Sequence, residues 1–237
     1  MSLPKPYYED GSVTIYHGDC LELMPLIEAD VLVTDPPYGV RWTGTSHHGR
    51  INPRTGKRVM GKTRAIGESV RNDNVPFDPG ALLDLGLPTV MFGANHFSSR
   101  LPDSPSWIVW DKRVDGKFGP NQADCEMAWT NLGGPARMFR LVWNITSRKT
   151  DLGSEGKRGS LADSILHPTQ KPVRLMRWVL ARCPDGVVCD PFLGSGTTLR
   201  AAKDLGRKAI GIELEERYCQ IAAERCSQEV LDLGAAA

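Results

Sequence analysis

The sequence has little that would tie it to a metal, a membrane or an oxidising compartment. Its six cysteines are Cys20, Cys125, Cys183, Cys189, Cys219 and Cys226, and no two form a C-x-x-C pair. No cluster of cysteine and histidine has zinc-site spacing, so free thiols and no metal are expected. No apolar run approaches the roughly 20 residues that span a bilayer. Residues 1–10 lack the charged-then-apolar pattern of a signal peptide. These absences predict a cytoplasmic protein with no membrane partner. Internal repeats and low-complexity blocks are also missing.

What remains is an ordinary globular balance, 41% hydrophobic and 24% charged over 237 residues. That is enough for one large domain, or a domain carrying an insertion. The net charge of +1 is unevenly spread. Residues 41–74 hold Arg41, Arg50, Arg54, Lys57, Arg58, Lys62, Arg64 and Arg71 against only Glu68 and Asp73. Residues 137–158 hold Arg137, Arg140, Arg148, Lys149, Lys157 and Arg158 against Asp151 and Glu155. Positive loops on a near-neutral body suit a polyanion, although one such stretch alone reads as a solvated surface.

Short apolar runs alternate with helical patterns, which predicts a largely parallel sheet with helices on both faces. Strands are expected at 13–16, 31–34, 89–92, 107–110, 125–130, 187–190 and 209–213. The run at 31–34 has no polar alternation and suits a strand buried on both faces. Residues 125–130 read as an antiparallel edge or hairpin strand. Gly18 and Asp19 open a short helix. Pro172 suits the first position of a helix reaching about 182, where its missing N–H costs nothing. Further helices are expected at 197–205, ended by Gly206, and at 215–228. Residues 39–74 and 133–164 lack apolar anchors and read as irregular.

Two motifs carry chemistry. Asp35-Pro36-Pro37-Tyr38 ends a buried strand. A carboxylate and the Pro36 carbonyl can accept both N–H bonds of an exocyclic amine, and proline brings no competing donor. Tyr38 can stack on the ring that carries the amine. Far downstream, Asp190 ends another strand before Pro191-Phe192-Leu193-Gly194-Ser195-Gly196-Thr197-Thr198. The glycines permit close approach of a ligand, and the helix start adds free N–H groups. Glu213 closes the next strand, where an acid can accept from ribose hydroxyls. The spacing departs from G-x-G-x-x-G, and no lysine follows the second glycine as a P-loop requires. A nucleoside such as S-adenosylmethionine therefore fits better than a dinucleotide or ATP.

The tetrapeptide, then His167-Pro168-Thr169-Gln170-Lys171-Pro172, then the block from Asp190 to Thr198, resembles the amino-group DNA methyltransferases, the N6-adenine and N4-cytosine enzymes. The catalytic motif precedes the cofactor motif, as in the permuted class often called beta. Gly18-Asp19, Trp110-Asp111-Lys112 and Glu126 with Trp129 extend the likeness over most of the chain. The resemblance implies a Rossmann-like S-adenosylmethionine-dependent α/β fold, circularly permuted, with an antiparallel edge hairpin. It implies one domain, 1–237, with DNA-facing insertions near 41–74 and 133–164.

By the same resemblance, Asp35, Pro36, Pro37 and Tyr38 are catalytic. Asp190, Phe192, Gly194, Gly196 and Thr197 line the cofactor pocket, with Phe192 near the adenine. Thr169 bonds the methionine carboxylate, Glu213 the ribose, and Asp19 lies near the adenine. Plainer readings compete for single residues: Asp19 as a helix cap, Lys171 as a surface lysine, Phe192 as core. The chemistry needs a base flipped out of duplex DNA. Arg41, Arg50, Arg54, Lys57, Arg58, Lys62, Arg64, Arg148 and Lys149 are the candidate DNA contacts, most of them to phosphates. Aspartate at the first catalytic position favours adenine N6; serine is commoner there in N4-cytosine enzymes, so cytosine N4 is the alternative. A catalytically silent DNA-binding subunit is a third reading, which the intact Asp35 and Tyr38 oppose. A bacterial or phage restriction-modification setting is expected. A homodimer and a separate cognate restriction endonuclease stay open.

Overall fold

The computed structural model describes residues 2–41, 73–113, 123–141 and 170–228, together with Thr55 and the short strands at 45–46, 49–51, 58–60 and 64–65. Its centre is a nine-stranded sheet. In chain order the strands are β1 (Tyr8–Glu9), β2 (Val13–His17), β3 (Val31–Thr34), β4 (Thr89–Phe92), β5 (Trp107–Asp111), β6 (Cys125–Thr130), β7 (Arg137–Arg140), β8 (Val188–Asp190) and β9 (Ala209–Glu213). Across the sheet they run β1-β2-β9-β8-β3-β4-β6-β5-β7. The five central strands β2, β9, β8, β3 and β4 are mutually parallel. The last two strands of the chain thus insert between the second and third.

The helices are α1 (Cys20–Leu23), α2 (Gly80–Leu83), α3 (Val173–Leu180), α4 (Thr197–Asp204) and α5 (Glu216–Ser227). They cover both faces. Val31 and Val33 of β3 face a core built with Leu175, Met176, Leu199 and Ala222 of α3–α5. Leu32 between them faces the opposite core, with Leu23, Met24, Leu82 and Phe97. Period-two alternation between two dry faces is why the β3 run shows no polar alternation. Helix α1 starts because the Asp19 carboxylate accepts from Leu21 N at 2.8 Å, the N-cap bond.

The expected strands are present within a residue or two. The antiparallel hairpin is β5–β6, with Glu126 opposite Trp110. Strand β7 then adds parallel outside β5, in a stretch that reads as irregular because Arg137 and Arg140 flank its two apolar residues. Pro172 sits at the N-cap of α3 with ψ 136°, one position before the first helical residue. The basic segment contains two short antiparallel pairs, Thr45–Ser46 with Arg64–Ala65 and Gly49–Ile51 with Arg58–Met60. All six cysteines are free thiols.

Asp10 ties the β1–β2 turn to helix α4. Its carboxylate accepts from Ser12 N and Val13 N at 2.8 Å, from Tyr8 Oη at 2.8 Å and from Lys203 Nζ at 2.6 Å. Partial burial opposes ionisation, but Lys203 and the turn amides outweigh it and hold the carboxyl at about 2. A depressed acid contributes stability above its unfolded pKa and loses it as pH falls through the folded value. Asp10→Asn should therefore lower the urea-unfolding free energy by about 1 kcal/mol at pH 7. Wild type and variant should converge as pH is taken down to about 2. Leu199→Ala, which empties a fully buried site, should cost about 2–5 kcal/mol at either pH.

Candidate active site

Parallel pairing aligns the carboxyl ends of five adjacent strands along one edge of the sheet, the usual place for a site in an open α/β fold. Asp19 follows β2, Glu213 ends β9, Asp190 ends β8, Asp35 follows β3 and Gly93 follows β4. Antiparallel β6 begins at the same edge, because Ala128 pairs with Phe92 and so carries Glu126 beyond it. Lys112, just after β5, arrives there too.

The tetrapeptide is the most constrained part. The Tyr38 hydroxyl donates to Asp35 Oδ1, and Lys171 Nζ donates to Asp35 Oδ2. Lys171 Nζ also lies 3.2 Å from Tyr38 Oη and 3.1 Å from Glu126 Oε2. Lys112 Nζ donates to Glu126 Oε1 at 2.7 Å. The result is a closed row of alternating charge: Asp35, Lys171, Glu126, Lys112. Burial alone would favour a neutral Lys171 amine; the Asp35 and Glu126 carboxylates outweigh it and hold the ammonium well above the ordinary lysine range. Burial pushes Asp35 up, while Lys171 pulls it back. Burial also opposes ionisation of Glu126, but Lys171 and Lys112 prevail and bring it down to about 2.

Tyr38 is held by its ring as well. His96, exposed, stacks on it with centroids 4.9 Å apart and planes 13° apart. Gly93, at φ +69°, lies so close that a Cβ there would meet Tyr38 Cε1 at 1.8 Å. Behind Tyr38 the chain is pinned by buried Asp73, which accepts from Gly39 N at 2.7 Å and Val40 N at 3.2 Å, while its carbonyl accepts from Arg41 N at 2.8 Å. The two ends of the basic segment therefore meet beside the tetrapeptide.

The glycine turn is built around two acids. Asp190, 3% exposed, accepts from Thr34 Oγ1 at 2.7 Å, Phe192 N at 3.2 Å and Thr198 Oγ1 at 2.5 Å. Burial raises its pKa to about 6 against those three bonds. Glu213 accepts from Gly194 N and Glu215 N, each at 2.8 Å, and burial pushes it up. Gly196, at φ +80°, packs on α5, where a Cβ would meet Ala222 Cβ at 2.7 Å. Thr197 is buried and accepts from Arg225 Nη1 at 2.9 Å, and the same guanidinium donates to Gln170 Oε1 at 3.1 Å. Phe192 is half-buried against Phe77, edge to face at 5.5 Å.

Of the residues singled out in the sequence, Asp19, Asp35, Pro36, Pro37, Tyr38, Asp190, Phe192, Gly194, Gly196, Thr197 and Glu213 converge on this edge. Asp19 caps a helix there, and Asp190 and Thr197 turn their side chains inward. Arg41 is exposed, at φ 55°. Arg50, Arg58 and Arg64 lie on the short strand pairs. Thr169, Arg54, Lys57, Lys62, Arg148 and Lys149 lie outside the described residues. Lys171 is not a surface lysine: it is 6% exposed at the centre of the charged row. Trp129 has the opposite strand parity from Glu126, and it sits in the other core with its indole N–H on the Pro102 carbonyl at 3.0 Å. Sequence reasoning named Lys112 and Asp73 without giving either a role in the site, and it missed Gly93 and His96. For Lys112 the signal was its place in the Trp110-Asp111-Lys112 likeness.

Gly93→Ala should lower unfolding free energy by about 1–3 kcal/mol more than Gly86→Ala. Both positions have φ above +60°, but a Cβ at Gly86 meets nothing within 4 Å. Equal losses for the two in chemical denaturation would contradict the Tyr38 contact.

Comparison with known proteins points the same way. A family model described as DNA methylase, N6_N4_Mtase, matches residues 107–224. Type II methyltransferase M.ScaI of Streptomyces caespitosus is 29% identical over 98% of this chain and 87% of its own length. Type II methyltransferase M2.DpnII of Streptococcus pneumoniae is 27% identical over 96% of this chain and 94% of its own. Among solved structures, the M1.HpyAVI–SAM complex superposes with TM-score 0.52 at 22% identity, covering 91% of this chain and 100% of that one. The cytosine-N4-specific PvuII DNA methyltransferase superposes with TM-score 0.54 at 15% identity, covering 95% and 90%. These structures share the fold, an α/β methyltransferase sheet with mostly parallel strands. Together with the acceptor cluster and the glycine turn on one sheet edge, the matches identify the chain as a member of the amino-group (N6/N4) DNA methyltransferase family.

Proposed function

We propose that this protein is an S-adenosylmethionine-dependent Type II DNA methyltransferase that methylates the exocyclic N6 of an adenine flipped out of the duplex. One observation carries the reading. Thr34, immediately before Asp35, donates to Asp190, immediately before the glycine turn, at 2.7 Å. An amine acceptor and a nucleoside-type turn are thereby held on neighbouring strand ends.

The cofactor supplies an electrophilic methyl group on a sulfonium. The residues at the turn suit it. The Glu213 carboxylate is anchored by two amides and keeps lone pairs for ribose hydroxyls. Phe192, half-buried, suits the adenine ring. Asp19 reaches the same end, since Glu213 pairs with His17 two residues earlier. Asp190, Gly194, Gly196 and Thr197 shape the turn, Gln170 approaches it through Arg225, and Thr169 is assigned to the methionine carboxylate.

At the clamp, an exocyclic amine is a weak nucleophile because its lone pair is delocalised into the ring. Asp35 and the Pro36 carbonyl accept its two N–H bonds and favour a pyramidal nitrogen. Tyr38 stacks on the base. Positioning and preorganised charge supply most of the acceleration. As positive charge grows on nitrogen, Asp35 or water takes the proton. We read residues 1–237 as one domain, with 41–74 and the part of 133–164 beyond β7 facing DNA through Arg41, Arg50, Arg54, Lys57, Arg58, Lys62, Arg64, Arg148 and Lys149. The motif order supports the permuted class.

Adenine is preferred over cytosine because aspartate opens the tetrapeptide. Incubation with unmethylated duplex and labelled cofactor, followed by digestion to nucleosides and mass spectrometry, should yield N6-methyladenine. N4-methylcytosine as sole product would replace adenine by cytosine, and no methylated base would overturn the enzyme reading. Asp35→Ala should reduce the rate at least about a hundredfold.

A further inference from the structure

The charged row beside Asp35 is complete without a substrate, and its arrangement is informative. Both Asp35 oxygens already accept a bond, one from Tyr38 and one from Lys171. Each oxygen keeps a second lone pair, so an amine entering the clamp competes with these two donors for place and direction around Asp35. The Tyr38 hydroxyl belongs to the stacking ring, so the exchangeable donor is the Lys171 ammonium. A buried ammonium cannot be set aside without another acceptor, because an unpaired charge in a dry site is costly. One acceptor is in place. Glu126 Oε2 is buried, lies 3.1 Å from Lys171 Nζ, and accepts no hydrogen bond among the described residues. Lys112 holds the other oxygen, Oε1, at 2.7 Å and so fixes the carboxylate's direction.

We propose that Lys171 occupies the substrate amine's place on Asp35 in the free enzyme and passes to Glu126 Oε2 when the base enters. Lys171 and Glu126 are then positioning residues for base capture, with Glu126 the receiving group. The inference rests on the methyltransferase reading above. The exchange is a short movement, since the ammonium already contacts both carboxylates. It keeps the buried charge balanced throughout: two carboxylates, Asp35 and Glu126, against two ammonium groups, Lys171 and Lys112. The rings of Phe92 and Tyr38, with centroids 5.5 and 5.8 Å from Nζ, form an electron-rich wall that accommodates the cation in either position.

Steady-state kinetics on long PCR-amplified, hence unmethylated, duplex DNA test this. Wild type is measured first, and absence of methylated base would overturn the enzyme reading and this inference with it. In an active background, Glu126→Gln removes the receiving charge. It should lower kcat/KM for duplex about tenfold or more while KM for S-adenosylmethionine stays within about twofold. Wild-type kinetics in this variant, or a loss confined to cofactor KM, would overturn the exchange and leave the enzyme reading standing. Lys171→Met gives the second readout. Without its ammonium, Asp35 faces the Glu126 carboxylate, the Tyr38 hydroxyl and the buried Asp190, with no near cation among the described residues except Lys112. The acid limb of its kcat/KM profile should move to higher pH, and Lys171→Arg should restore it. A Lys171→Met profile reduced equally at all pH values, or one that arginine does not correct, marks a packing role and would overturn the proposal.

Discussion

The buried Asp190 carboxylate is the joint on which the site depends. It binds the hydroxyl of Thr34, the amide of Phe192 and the hydroxyl of Thr198. Those three groups belong to the strand that delivers Asp35, to the glycine turn, and to helix α4. A single side chain thus fixes two motifs 156 residues apart in sequence. The cost is visible in its pKa, raised to about 6 because burial penalises the anion more than three donors favour it. An acid in this position stabilises the fold most when protonated and loses that contribution as pH rises through its folded value. The chain retains it at neutral pH, which fits a role in geometry better than one in stability.

The second constraint is charge balance. Asp35 sits where desolvation would neutralise it, and a neutral carboxyl is a poor acceptor for an amine. Lys171 supplies the countercharge from just before helix α3. Lysine there would in turn overbalance the site, and Glu126, itself held by Lys112, corrects it. Acceptor strength at Asp35 therefore depends on residues from three separate segments. Of these residues, Lys171 also hydrogen-bonds the Tyr38 hydroxyl.

Much of this was legible in the sequence, and the boundary has physical causes. Apolar runs marked the buried strands because two dry faces leave no room for polar alternation. Glycine, proline and the strand-ending acids marked the turns. Strand β7 was not legible: Arg137 and Arg140 are exposed on an edge, and only the register with β5 makes the segment a strand. Lys171 could be named as part of a motif but not placed, since nothing local distinguishes a buried lysine from a solvated one. Its partners lie at Asp35 and Glu126, on other elements. Gly93 and His96 are set by contact with Tyr38, and such contacts have no periodicity to reveal them. Asp73 reads as one acid opposing many basic residues, yet it works through two backbone amides at the foot of the segment.

The same geometry explains why motif order along the chain has little bearing on chemistry. In this protein the Asp35–Tyr38 tetrapeptide comes first, and the glycine turn comes late, between β8 and α4. Both nonetheless end on adjacent, parallel strands, β3 and β8. A parallel sheet collects strand ends at one edge whichever connection leads to each strand, because the connections cross behind the sheet through helices. What the site requires is adjacency and a common direction. The Leu32–Cys189 register supplies the adjacency, and the Thr34–Asp190 bond one step further along fixes how far each strand end projects. Any chain order that preserves those two contacts preserves the relation between acceptor and turn.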